Sequence, residues 1–195
     1  MTDDEQPLLD GYTIRILDDA TFGPLFAELR PGVFGDRFEA DVRALLDSDA
    51  LAATRRLAGR MGTPYRLNVG VFHEGVCVGW STGVQKDAET FQMINTGFLP
   101  PHQGRGLYRA LLPRVLSLVE AEGFQVVTSR HHPTNNAVLV PKLKAGFVIT
   151  QFEVSDRFGL LVHLTYYFDE RRRHLVNVRV GYERPDDAMR GTLKL

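Results

Sequence analysis

The sequence predicts an α/β fold built on one mixed sheet with flanking helices, and three observations carry that expectation. Apolar residues are 44% and charged residues 24% of a 195-residue chain, a globular balance with length enough for one domain and a sizeable core. Runs with a period of two and runs with a helical period are interleaved along the chain rather than gathered into halves. The strand-like runs between residues 66 and 98 are joined by turn-sized gaps, as antiparallel neighbours are.

Residues 1–10 read as a flexible tail ahead of a domain spanning residues 11–170. In "YTIRILDD", Tyr12, Ile14 and Ile16 alternate with Thr13 and Arg15, which makes a strand. "DDATFGPLFAELRPGVF" opens with an Asp/Thr cap and carries Leu25, Phe26 and Leu29 at helical spacing, with Pro31-Gly32 expected to end the helix. Phe38, Val42, Leu45, Leu46, Leu51, Leu57 and Met61 continue the period as one helix or two, finishing between Gly59 and Gly62. Leu67, Val69 and Val71, a turn at Glu74-Gly75, then Val76, Val78 and Trp80 form a hairpin. Trp80 and the lone Cys77 both read as core. "TFQMINTGFL" is a further strand. A helix from about Gly104 to Glu122 follows, with Leu107, Leu111, Leu112, Val115, Leu116 and Val119 on one side. "FQVVTSR" is a buried-type strand, "NNAVLVPKLKAGF" a helix stopped by Gly146, and "FVITQFEV" and "LLVHLTYYF" a late strand pair. Residues 171–195 form a C-terminal extension that holds a strand or a helix and then trails off, its Arg171–Arg173 cluster a solvated face.

Composition narrows the function. A net charge of −1 argues against a nucleic-acid partner held by charge. No apolar stretch is long enough to span a membrane, so no membrane partner is expected. One cysteine permits no internal disulfide and suits a reducing compartment, and the polar N-terminus has no apolar signal core; together they suggest a cytoplasmic protein. No metal is expected.

The stretch that asks for chemistry is "LPPHQGRGLYRALL", residues 99–112. A helix N-terminus offers unpaired amides and partial positive charge to an anion, and Gly104 and Gly106 remove the side chains that would keep a phosphate away. Arg105 adds a cation, and Pro100 and Pro101 end the preceding strand. No Gly-Lys-Ser/Thr follows, so this is not a Walker A loop, and the third glycine of the dinucleotide fingerprint is missing. A turn that merely happens to be rich in glycine remains the alternative.

At these residues the chain resembles the GCN5-related N-acetyltransferases, the GNAT superfamily, whose motif Gln/Arg-x-x-Gly-x-Gly/Ala falls here on Gln103, Gly104, Arg105, Gly106, Leu107 and Tyr108. Gln103 and Gly106 match; Tyr108 stands where a small residue is usual, and Phe98 where the strand motif has valine. A second segment matches independently, with Asn135 placed ahead of Gly146-Phe147. The order of elements from residue 12 to 169 also fits the family.

The resemblance implies a sheet splayed between its fourth and fifth strands, with acetyl-CoA in the opening. The amides of residues 103–108 would hold the pyrophosphate, and the backbone of Phe98, Leu99 and Pro100 would pair with the pantetheine and polarise the thioester. Asn135 would contact the pantetheine arm or simply cap the fourth helix. Many relatives place an acid Tyr four residues before the glycine that ends this helix; here that place holds Lys142, expected in solvent or at the entrance. His131 and His132 end the fifth strand and are candidates for the base, with a capping or surface pair as the plainer alternative. The resemblance implies acyl-CoA-dependent N-acyl transfer, of acetyl from acetyl-CoA to a primary amine of a small molecule or protein by direct attack. The rival is an acyl-CoA sensor without catalysis, and a homodimer stays open.

Overall fold

The computed structural model describes residues 5–35 and 41–193. Its sheet has eight strands: β1 (Gln6–Leu9), β2 (Tyr12–Leu17), β3 (Arg66–His73), β4 (Val76–Gln85), β5 (Thr90–Phe98), β6 (Val126–His131), β7 (Val148–Ser155) and β8 (Gly159–Tyr167). Their order across the sheet is β1-β2-β3-β4-β5-β6-β8-β7. Every neighbouring pair is antiparallel except β5 and β6, which run parallel. Among the described residues six α-helices accompany it: α1 (Asp19–Phe34), α2 (Ser48–Ala58), α3 (Leu107–Ala121), α4 (Asn136–Lys144), α5 (Glu170–Arg179) and α6 (Asp187–Leu193). The mixed α/β sheet expected from the sequence is the sheet observed.

Several expectations change. Residues 6–9 are not part of a loose tail: they form β1, paired with β2, and residues 1–4 lie outside the described residues. β1 shifts the strand count by one, so the expected fourth and fifth strands are β5 and β6. Helix α1 does not stop at Pro31-Gly32 but runs to Phe34, and Gly35, at φ 54°, closes it with its N–H on the Pro31 carbonyl. Proline removes a donor but keeps its own carbonyl as an acceptor, so the turn after it can still close. The segment expected as one helix or two is a short 3-10 turn at Val42–Leu45 followed by α2, and Phe38 lies outside the described residues. The C-terminal extension holds helices α5 and α6, not a strand. Arg172 in it is paired with Glu89 at 2.9 Å, so the arginine cluster is not solvated throughout.

The sheet has a core on each face. One gathers Ile14, Val69, Val71, Phe91 and Val127 under Leu107, Leu111, Val115 and Val119 of α3. These are the apolar positions read as one side of α3, and burying that stripe is what fixes the helix on the sheet. The other face packs Leu17, Phe72, Cys77 and Trp80 under Phe22, Phe26 and Leu29 of α1. Trp80 is 1% exposed, lies edge-on to Phe26 and Phe34, and donates its indole N–H to Asn95 Oδ1. It is core, as expected. Burial also raises the Cys77 thiol above its usual range, so it stays protonated and unreactive. Among the described residues, no helix is long and apolar enough to cross a membrane.

Strands β4 and β5 set the geometry of the site. Thr82 faces Asn95 but Gly83 faces Met93, which leaves Ile94 as an extra residue on β5. Such a bulge bends and twists its strand. Gly83 makes room for this: a Cβ built there lies 2.3 Å from Phe91 Cε1 and 2.7 Å from the Gln92 carbonyl. Gly83→Ala is therefore expected to lower stability by about 1–3 kcal/mol through overpacking. Urea unfolding of the two proteins side by side measures it, and an unchanged midpoint would show that Phe91 and the Gln92 backbone shift freely.

Candidate active site

The parallel ladder between β5 and β6 is short. It pairs Thr90 with Val126, Phe91 with Val127, Gln92 with Thr128 and Met93 with Ser129, and there it ends, although β5 runs on to Phe98 and β6 to His131. The bulge at Ile94 begins where the pairing stops. The two strands diverge from that point, and the backbone of β5 beyond it has β4 as its strand partner on one side and none on the other. An edge of this kind can accept an extended ligand through main-chain hydrogen bonds.

The loop after β5 closes one end of the fork. Leu99 N–H still bonds the Val78 carbonyl at 2.9 Å, Pro100–His102 make a 3-10 turn, and the Gln103 side chain donates back to the Phe98 carbonyl at 2.8 Å. His102 Nδ1 lies 2.9 Å from the Tyr12 hydroxyl, which ties the turn to β2. Arg105 Nε donates to the Pro101 carbonyl at 3.0 Å, which folds that side chain over its own loop. Gly104 and Gly106 have φ of 72° and 79°, and a Cβ built at either meets nothing within 4 Å. Gly106 is the N-cap of α3, and no side chain caps the helix. Among the described residues, no side chain caps the first-turn amides of α3, which stand at the positive end of the helix dipole. A cradle without side chains, uncapped and electropositive, fits a pyrophosphate.

Tyr108 stands in the first turn of α3, packed against the core, and burial pushes its phenol well above the ordinary range. It stays neutral and packs as a largely apolar group. Asn135 occupies the N-cap position of α4, where its carbonyl accepts from the Leu139 N–H at 3.0 Å, but its side chain makes no capping bond. Plain capping by the side chain, one of the two roles expected for it, is not what the structure has.

The expectation that Lys142 lies in solvent or at an entrance is wrong. Lys142 is 1% exposed, while its neighbours on α4, Val140 and Leu143, are 44% and 41% exposed. A helix that hides its lysine and shows its aliphatic residues reverses the usual pattern. Leu139 and Lys142, three residues apart, share the inward face. The ammonium donates to Ser129 Oγ at 2.7 Å and to Met93 Sδ at 3.3 Å, and it lies 4.5 Å from the centre of the Phe147 ring. Met93 and Ser129 are the last pair of the parallel ladder, so the lysine plugs the base of the fork. Of its acceptors only the hydroxyl is strong; thioether and ring face are weak. Three ammonium protons are poorly served there, and burial lowers the lysine from 10.5 to about 7.

His131 joins the same cluster and His132 does not. Residues two apart on a strand share a face, and His131 Nε2 lies 3.0 Å from Ser129 Oγ. Burial first, and the charge of Lys142 second, lower the imidazole from 6.5 to about 3. An ordinary imidazole titration is therefore not expected of His131. His132 is exposed past the end of β6. Sequence reasoning passed over Ser129, Met93 and the bulge at Ile94. The period-two spacing of Ser129 and His131 was the available sign for the first; nothing in the sequence marks the bulge.

The buried imidazole gives a testable pH dependence. Unfolded, His131 takes a proton at about 6.5; folded, it refuses one until about 3. Between those values the unfolded chain holds the extra proton, so acidification favours unfolding. One proton changes stability by about 1.4 kcal/mol per pH unit. From pH 6.5 down to about 5, where ordinary carboxylates remain ionised, stability is expected to fall, and to fall less steeply in His131→Gln. Urea midpoints at both pH values check this; parallel slopes would place His131 in water.

No known protein-family profile matches the sequence, and no curated protein matches it. Solved structures do. The ribosomal-protein alanine N-acetyltransferase of Escherichia coli superposes with a TM-score of 0.60 at 15% identity, over 81% of this chain and 94% of its own. A GNAT family acetyltransferase from Elizabethkingia anophelis, solved with acetyl-CoA bound, gives 0.55 at 15% identity, over 82% and 100%. A variant of the spermidine N-acetyltransferase of Vibrio cholerae gives 0.59 at 13% identity, over 82% and 95%. The chain carries the GNAT acetyltransferase fold.

Proposed function

We propose that the protein is an acyl-CoA-dependent N-acyltransferase that moves an acetyl group from acetyl-CoA to a primary amine. The observation that carries this reading is the fork between β5 and β6, with the open glycine cradle at its rim and a buried lysine at its base. Acetyl-CoA supplies the activated acyl group as a thioester. The amides of residues 103–108 hold its pyrophosphate, with Arg105 beside them. The backbone from Phe98 to Pro100, where β5 ends, pairs with the pantetheine arm and steadies the thioester carbonyl. Asn135, with no capping bond of its own, is free to reach the same arm. Lys142 supplies a proton to the departing sulfur from the base of the fork. His131, the candidate base, is held neutral beside it.

The acceptor is an amine of a small molecule or of a protein, and the fold neighbours named for a ribosomal-protein alanine and for spermidine act on amines of both kinds. An amine-panel acetylation screen with mass detection, run beside calorimetric titration of acetyl-CoA, tests the reading. Acetylated product supports it. Tight binding without product on any amine would instead make the chain an acyl-CoA sensor, and absence of binding would reject both. A lone, buried cysteine agrees with residence in the reducing cytoplasm.

A further inference from the structure

The two outer strands of the sheet, β1 and β7, differ in how they end it. β1 is four residues long and contains Pro7, and Arg114 Nη2 donates to the Pro7 carbonyl at 3.1 Å. Short length, a proline and a covered carbonyl all keep another strand from adding there. β7 has eight residues, Val148–Ser155, with no proline and no lysine, and among the described residues β8 is its only strand partner. Its irregularity lies near its start, between Ile149 and Gln151, while Gln151–Ser155 pair regularly with β8. Phe152 stands opposite Val162 and Val154 opposite Leu160, and Val162 belongs to the core under α3, so these side chains share that face of the sheet. Phe152 is 65% and Val154 86% exposed, and Ile149 and Leu160 are half-exposed on the same hairpin. A row of large apolar side chains along an open strand edge is what monomeric proteins avoid.

We propose that β7 is a dimer interface, at which a second copy of this chain pairs antiparallel with it and joins two eight-stranded sheets into one. Charge singles out the second copy as the occupant. A two-fold contact sets a surface against itself, so any unbalanced charge on it meets its own kind. Glu153 is the one charged residue of β7, and it is already paired within its own chain: His163 Nε2 lies 2.5 Å from one carboxylate oxygen and Arg130 Nη1 3.2 Å from the other. The strand thus offers a charged partner nothing to hold and a copy of itself nothing to repel. Alternation of side chains limits the register. Opposite residues of an antiparallel pair share a face, so the two-fold axis must pass through a residue, not between two. Through Glu153 it would oppose two carboxylates. Through Phe152 it sets the two Phe152 rings against each other and Glu153 against Gln151 of the second copy, with no like charges opposed. His131, Val162 and Phe152 form one row across β6, β8 and β7, so pairing at this edge braces the β6 wall of the fork from outside. The interface does not depend on what the fork binds.

Sedimentation velocity of the free protein over a concentration series tests the pairing. The wild type should run at the mass of two chains, and Val154→Lys, which puts like charges on the seam, should run at the mass of one. Val154 is so exposed that the lysine disturbs no packing within the chain, and matching circular dichroism spectra check that the fold is kept. Cysteines read the register. Phe152→Cys should form a disulfide-linked dimer on mild oxidation, because directly opposed Cα atoms, about 4.5–5.5 Å apart, lie within disulfide range. Val154→Cys should not, since the two Val154 positions stand four residues apart along the seam, roughly 14 Å. Cys77 takes no part, being buried and protonated. A wild-type monomer at every concentration overturns the proposal and leaves this edge to a partner of another kind. A dimer that survives Val154→Lys places the contact elsewhere and overturns it too, as does growth beyond two chains, which a closed two-fold pairing forbids. Linkage through Val154→Cys and not through Phe152→Cys overturns the register.

Discussion

Lys142→Met is expected to lower kcat by about 10²-fold, with acetyl-CoA affinity kept, because the variant removes the acid and little else. Methionine matches the length of the lysine stem and is at home beside Met93 and Phe147. It also relieves the chain of a poorly solvated ammonium, so the variant should be at least as stable as the wild type. The pH profile provides the second readout. Lys142 carries its proton below about 7 and loses it above. Activity that depends on this acid is thus present below pH 7 and lost as the pH rises through it, giving a descending limb in kcat. That limb should be absent in Lys142→Met. A loss smaller than tenfold, with the limb intact, would show that the thiolate needs no acid and that the lysine only fills the fork.

Such a residue marks the boundary of what could be read from the sequence. Strands β2 to β8, helices α3 and α4, and the glycine loop were legible because each is a local pattern: alternation, helical spacing, or glycine before an apolar stripe. Gly104 and Gly106 do have the positive φ values that their use in the loop demanded. Lys142 was misread because its burial is a tertiary fact. Local pattern puts a lysine outside, and α4 is too short and too weakly amphipathic to correct that. Only the divergence of β5 from β6 creates the gap that the side chain fills, and that divergence follows from the Ile94 bulge, which leaves no mark in the sequence. β1 was missed for a related reason. "QPLL" is short and contains Pro7, both of which point away from a strand, yet an edge strand tolerates proline. The C-terminal helices were ambiguous because their apolar residues are few, and ion pairs such as Arg172 with Glu89 replace a stripe.

Gly106→Glu is expected to weaken acetyl-CoA binding at least a hundredfold in a protein that still folds. Two effects act on the free chain and partly offset each other. A side chain at φ 79° costs roughly 1–2 kcal/mol of backbone strain. Against that, a carboxylate at a helix N-terminus gains roughly 0.3–1 kcal/mol from the dipole. Nothing stands within 4 Å of the built Cβ, so no packing is disturbed. A melting temperature within a few degrees of the wild type follows, at about 2–4 °C per kcal/mol for a chain of this size. Binding has no such compensation. The carboxylate takes the space and the amides intended for phosphate, and its charge repels the anion. Gly106→Ala separates the two causes, since it brings the strain without the charge. Calorimetry on the three proteins should rank them wild type, then Ala, then Glu, with most of the loss at the last step. Equal losses in Ala and Glu would assign the effect to loop geometry, and wild-type affinity in Glu would remove the phosphate from this end of α3 altogether.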